Sequence, residues 1–181
     1  NSNWLSLRRT CDRVGASLEV VPSDANGLLD VNALTNMLDD RVKLVAITQI
    51  TNSNGMVNPV AEVGAALRGS QAIYLLDACQ AVGQMPVDVE RIGCDLLSGA
   101  GRKFLRGPRG TGFLYVRRSV LDRIEPPVID IHAAQWTGRD TFTWRPDARR
   151  FEQNEFNVAD RLGMGAAVDH ALSWGLDAIE E

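Results

Sequence analysis

Three apolar runs, each ending on polar side chains, constrain this chain more than any other feature. Residues 42–50 (VKLVAITQI) stop at the turn Thr51-Asn52-Ser53-Asn54-Gly55, residues 72–76 (AIYLL) stop at Asp77, and residues 95–98 open onto a Gly- and Arg-rich stretch. β-branched, unbroken apolar runs of this length read as strands buried on both faces. Helical patterns separate them. Residues 3–14 carry apolar side chains at near-helical spacing with Gly15 as a stop, and Asp30 is placed to N-cap a helix running to Leu38. Pro59 opens a helix to Leu67. A short helix is expected over 78–82, and further strands over 17–21 and 112–117. Strands alternating with helices imply an α/β fold with a mostly parallel sheet covered on both faces.

The pattern changes near Glu125, giving an expected division into 1–125, a connector over 126–156 and a long helix over 157–181. Pro126-Pro127, Trp136, Trp144 and Pro146 make the connector look irregular. The chain opens at Asn1 without a methionine and inside a helical pattern, so it reads as part of a larger domain. A balance of 19 basic to 23 acidic residues offers no broad polycation for nucleic acid. No apolar run approaches the roughly 20 residues that span a bilayer, and no leader pattern is visible. Cys11, Cys79 and Cys94 are odd in number and far apart, which favours reduced thiols and a cytoplasmic setting. His132 and His170 without a C-x-x-C make a metal site unexpected.

In open α/β sheets, ligands sit beyond the carboxyl ends of the strands. Asn52, Asp77 and the segment from Ser98 to Lys103 fall there, with Gln80 one turn past Asp77. The segment 98–112 (SGAGRKFLRGPRGTG) sets Lys103 among five glycines and three arginines. Glycines let a backbone approach a ligand, arginines suit an anionic group, and an amine there can form a Schiff base with a carbonyl cofactor. Each residue also has a plainer reading. Lys103 fits a solvated basic turn, Asp77 a cap for residues 78–81, and Asn52 an ordinary turn residue. Their joint placement favours a site.

The order of these motifs resembles the class V aminotransferase family, fold type I pyridoxal-phosphate (PLP) enzymes that include cysteine desulfurases, selenocysteine lyases and related C–S lyases and epimerases. The resemblance runs through Thr51–Gly55 with Asn58-Pro59, LDACQAVG over 76–83, Pro86-Val87-Asp88-Val89, Gly101-Arg102-Lys103, GPRGTGFLYV over 107–116, and Arg150-Phe151-Glu152. It implies an incomplete fold type I large domain with PLP as cofactor. By position, Lys103 would be the catalytic lysine that forms the Schiff base, and Asp77 would pair with the pyridine N–H. Asn52 and Gln80 would lie near the ring's phenolic oxygen, and Arg102 would take the phosphate contact that many desulfurases give to histidine.

The resemblance also has departures. Ala100 stands where many relatives carry a phosphate-binding serine, Glu155 where many carry a threonine, and the loop holding Arg106 and Arg109 is one residue longer. None of the three cysteines fits the desulfurase nucleophile, and Cys79 reads as a small buried residue. The implied function is a PLP-dependent enzyme acting on an amino acid, possessing desulfurase or C–S lyase character. The alternatives are an aminotransferase, an epimerase, or a non-catalytic piece that packs in an assembly. The expected partners are an amino-acid substrate, sulfur- or selenium-containing in the leading reading, and a second copy in a homodimer.

Overall fold

The computed structural model describes residues 2–181. Helices α1 (Ser2–Val14) and α2 (Val31–Met37) precede the sheet. Asp30 caps α2 as the sequence predicts, its carboxylate accepting the Ala33 N–H at 2.9 Å. Asp30→Ala is expected to lower the unfolding free energy by about 1 kcal/mol in urea titrations. An unchanged midpoint would mean that this cap contributes nothing.

Strands β1 (Leu44–Thr48), β2 (Ile73–Asp77), β3 (Leu96–Ala100) and β4 (Gly112–Val116) form one sheet in the order β1-β2-β3-β4. The first three are parallel, and β4 returns antiparallel to β3. The crossovers run through α3 (Val60–Ala66) and α4 (Val89–Ile92), and α3 packs against both α2 and α4. Because successive strand residues point to opposite faces, one face carries Val45, Ile47, Tyr74, Leu76 and Leu97, all buried. Ile47, Leu76 and Leu97 stand in one register row. Val60, Val63, Leu67 and Ile92 belong to the same core cluster. The Tyr74 hydroxyl donates to the Val60 carbonyl at 3.1 Å, and burial pushes its ionisation well above the ordinary tyrosine range.

The opposite face is thinner. Ala46, Leu75 and Leu96 there are half-buried and Leu44 is exposed, so the expectation that 42–50 is buried on both faces is corrected. Met164 and Val168 of α5 (Val158–Trp174) pack against the core cluster.

Between the sheet and α5, a 3-10 helix (Arg118–Arg123) leads to a hairpin of β5 (Ala134–Gly138) and β6 (Thr141–Trp144). A second 3-10 helix (Ala148–Phe151) follows. Arg150 fastens this region. Only 4% exposed, it donates to the carbonyls of Arg145 at 3.0 Å and Leu121 at 3.3 Å, and lies 3.6 Å from Asp122. Among the described residues no helix is long and apolar enough to cross a membrane.

Several sequence expectations need correction. Residues 17–21 form no strand, because no neighbouring strand takes up their hydrogen bonds, and Val20 lies exposed. Residues 78–82 make a single turn (Val82 N–H to Ala78 O, 3.0 Å) that Gly83 ends, instead of a helix. The connector is not wholly irregular, since it holds the β5–β6 hairpin. The single long helix over 157–181 is two, interrupted at Gly175, with α6 (Leu176–Glu180) after it.

Candidate active site

β1 and β2 end level, Thr48 pairing in register with Asp77, while β3 runs on past Ser98, the register partner of Asp77, to Ala100. Thr48, Asp77 and Ser98 thus form a row of polar residues near the carboxyl edge of the sheet. Backbone bonds lock this edge: Gln49 N–H donates to Asp77 O at 2.9 Å, and Ala78 N–H to Ser98 O at 3.0 Å.

The Asp77 carboxylate is held at both oxygens. Oδ1 accepts the Cys79 backbone N–H at 3.0 Å, which is the local capping role foreseen for it. Oδ2 accepts Nδ2 of Asn3, on the first turn of α1, at 2.6 Å. Asn3 was not foreseen as a site residue. The contact joins positions 74 apart, and no local pattern signals it.

Asn52 and Gln80 come together, Gln80 Nε2 donating to Asn52 Oδ1 at 2.5 Å and so joining the loops after β1 and β2. Gln80 Oε1 is buried with no partner, as is Oε1 of Gln49, a residue only 3% exposed. A buried acceptor without a donor is costly, so Gln80 presents an unmet hydrogen-bonding group at the site.

Lys103 lies half-buried on the turn that leaves β3. Its loop is closed by Gly101 N–H to Thr111 O (2.9 Å), Gly107 N–H to Gly101 O (2.7 Å) and Arg106 N–H to Lys103 O (3.0 Å). Arg106 has a φ of 60° and is the one non-glycine residue with positive φ among those described. Arg102, Arg106 and Arg109 take part in none of the ion pairs among the described residues. Arg102 is exposed beside Lys103.

Cys79 sits between these groups, its thiol 3.8 Å from Ser98 O. Burial first, and the Asp77 carboxylate second, push the thiol up to about 11, while the Lys103 charge pulls weakly the other way. Burial likewise pushes Cys94 up to about 11. Thiolate is the nucleophile, and at pH 8 such thiols are about one part in a thousand ionised. Alkylation at pH 8 is therefore expected to leave Cys79 and Cys94 almost unmodified in the native protein and to reach both on unfolding. Rapid native labelling of Cys79, mapped by mass spectrometry, would refute this.

An amine, a buttressed carboxylate, paired amides and an unpaired guanidinium thus share the carboxyl edge of a mostly parallel sheet. The family model for class V aminotransferases matches residues 1–181. The chain belongs to the aminotransferase class-V family. It is 37% identical over 187 residues to a cysteine desulfurase of Enterobacter sp. (strain 638), covering 100% of this chain and 45% of that protein. It is 33% identical over 181 residues to a probable cysteine desulfurase of Methanothermobacter thermautotrophicus, again 45% of that protein. Its fold superposes on the apo cysteine desulfurase of Thermococcus onnurineus NA1 with a TM-score of 0.88 and 30% identity, covering 97% of this chain and 44% of that one. It also matches a C-DES mutant with glycine covalently linked to its PLP cofactor, with a TM-score of 0.82, 25% identity and coverage of 93% and 46%. The chain spans under half the length of these relatives. Its architecture is that of the fold type I large domain, as the motifs implied.

Proposed function

We propose that this chain carries the cofactor-binding core of a PLP-dependent enzyme that acts on cysteine or a related sulfur- or selenium-containing amino acid, with desulfurase or C–S lyase chemistry. The observation that carries the reading is Asp77, a carboxylate fixed at both oxygens at a strand end, with Lys103 on the loop leaving the adjacent strand. The relatives named cysteine desulfurase support the substrate class.

The donor set suits PLP. Asp77 would hold the pyridine N–H, Gln80 and Asn52 the phenolic oxygen, Arg102 the phosphate and Lys103 the aldehyde carbon. Bound PLP supplies an electrophilic aldehyde and a cationic ring that draws electron density from the substrate Cα. The chain's own part is to orient and to move protons. The pinned backbone fixes the base of the Lys103 side chain and leaves its amine free to swing, as a general base at Cα requires. Asp77, already oriented, keeps a proton on the ring nitrogen through charge.

Cys79, its thiol pushed up by burial, is a poor sulfur acceptor. In the whole protein a cytoplasmic homodimer is the proposed state. Exposed Ile131 (81%) and Trp136 (77%) are apolar groups that an interface would cover.

The test is borohydride reduction of the full-length protein after incubation with PLP, followed by peptide mapping. A pyridoxyl label on Lys103, with sulfur released from cysteine or cystine by the unreduced enzyme together with alanine (desulfurase) or pyruvate and ammonia (C–S lyase), is the expected result. A label absent from Lys103 would overturn the cofactor reading. A Lys103 label without sulfur release would overturn the substrate assignment and leave the cofactor reading standing.

A further inference from the structure

We infer that Asn3 is a positioning residue for Asp77, and that α1 contributes to the cofactor site through this one amide; the inference rests on the PLP reading above. An ionised carboxylate offers about four acceptor positions over its two oxygens. In this structure Cys79 N–H takes one on Oδ1 at 3.0 Å and Asn3 Nδ2 takes one on Oδ2 at 2.6 Å. A single donor leaves the carboxylate free to turn about its last torsion. Donors on different oxygens fix its plane, and each oxygen keeps a free position for a ring N–H. The same Nδ2 lies 3.5 Å from Thr48 Oγ1, the register partner of Asp77, so the amide spans the ends of β1 and β2.

The sign of the local field makes the role testable. Asn3 sits in the first turn of α1, which holds no acidic residue, and an acidic side chain there is favourable to the helix dipole. If Asn3 served only the helix, Asn3→Asp would be neutral or stabilising throughout. If it serves Asp77, the same change places two carboxylates together. The Cys79 thiol, which feels both the Asp77 carboxylate and the Lys103 charge, does not replace the lost donor.

The experiment measures the PLP dissociation constant of the full-length protein by equilibrium dialysis, with the melting temperature of the cofactor-free form alongside. Asn3→Asp is expected to weaken PLP binding about tenfold or more, the scale of a lost hydrogen bond to a charged group, and to lower the melting temperature of the cofactor-free form only while Asp77 is present, since the two carboxylates meet there without PLP. Asn3→Leu, which removes the donor without adding charge, is expected to weaken binding less than Asn3→Asp does. In an Asp77→Asn background, Asn3→Asp is expected to change the constant less than about twofold, because the coupling then has no carboxylate to act on. Asn3→Asp binding PLP within about twofold of the unsubstituted protein, or weakening it equally in both backgrounds, would overturn the inference. A Lys103 label in the unsubstituted protein together with either of those results would fault the role of Asn3 alone. Absence of that label would fault the PLP reading itself.

Discussion

Lys103→Ala is expected to reduce turnover of cysteine by about 10³-fold or more, the scale of removing a general base that is also the covalent anchor, and to abolish the borohydride-trapped label. The melting temperature of the cofactor-free protein is expected to stay nearly unchanged. The reason is local. Lys103 contributes its backbone to the loop, through its carbonyl accepting Arg106 N–H at 3.0 Å, and alanine keeps that bond. Its side chain makes no ion pair among the described residues, so truncation strands no buried charge. Arg102 next to it cannot substitute, because a guanidinium stays protonated and is a poor nucleophile at neutral pH. Turnover within tenfold of the unsubstituted enzyme would remove Lys103 from the chemistry. A large loss of thermal stability would instead assign it to the fold.

What the sequence reveals of this site follows from how local each signal is. Asp77 is legible because it ends an apolar strand at once, and strand order then puts it beside Ser98. Lys103 is legible because glycines and arginines crowd around it within a few residues. Asn3 is not, since its partner is 74 positions away and only the docking of α1 brings them together. The same holds for the fold. Asp30 announces α2 through its cap, whereas α4 is so short that it rests on Asp88, whose carboxylate accepts the N–H groups of Glu90 and Arg91. The β5–β6 hairpin is hidden by exposure. Trp136 and Phe142 alternate with polar residues as strands do, but both face outward, and no buried face confirms the period. Residues 17–21 show the reverse error, a strand-like composition with no neighbour to pair with.

The tie between fold and chemistry is tightest at Gly83, and Gly83→Ala is expected to cost about 3 kcal/mol of stability or more, combining left-handed strain with overpacking. Gly83 has φ of 91°, and a Cβ there would fall 2.5 Å from Leu105 N, 2.6 Å from Phe104 C and 2.8 Å from Phe104 O. Those atoms are backbone, so no side chain can rotate away. Leu105 is itself buried in the core cluster and resists displacement. The segment that must yield follows Lys103 directly, so the substitution also shifts the amine relative to Asp77. Pyridoxyl labelling of Lys103 should fall along with stability. Gly110→Ala is the control, because Gly110 has φ of 84° but nothing within 4 Å of its would-be Cβ. That change carries the backbone strain alone, about 1 kcal/mol, and should leave labelling intact. Urea unfolding of both variants separates the two contributions. Equal losses at the two glycines would mean that the loop after Lys103 does not rest on Gly83, and that the lysine is positioned by other contacts.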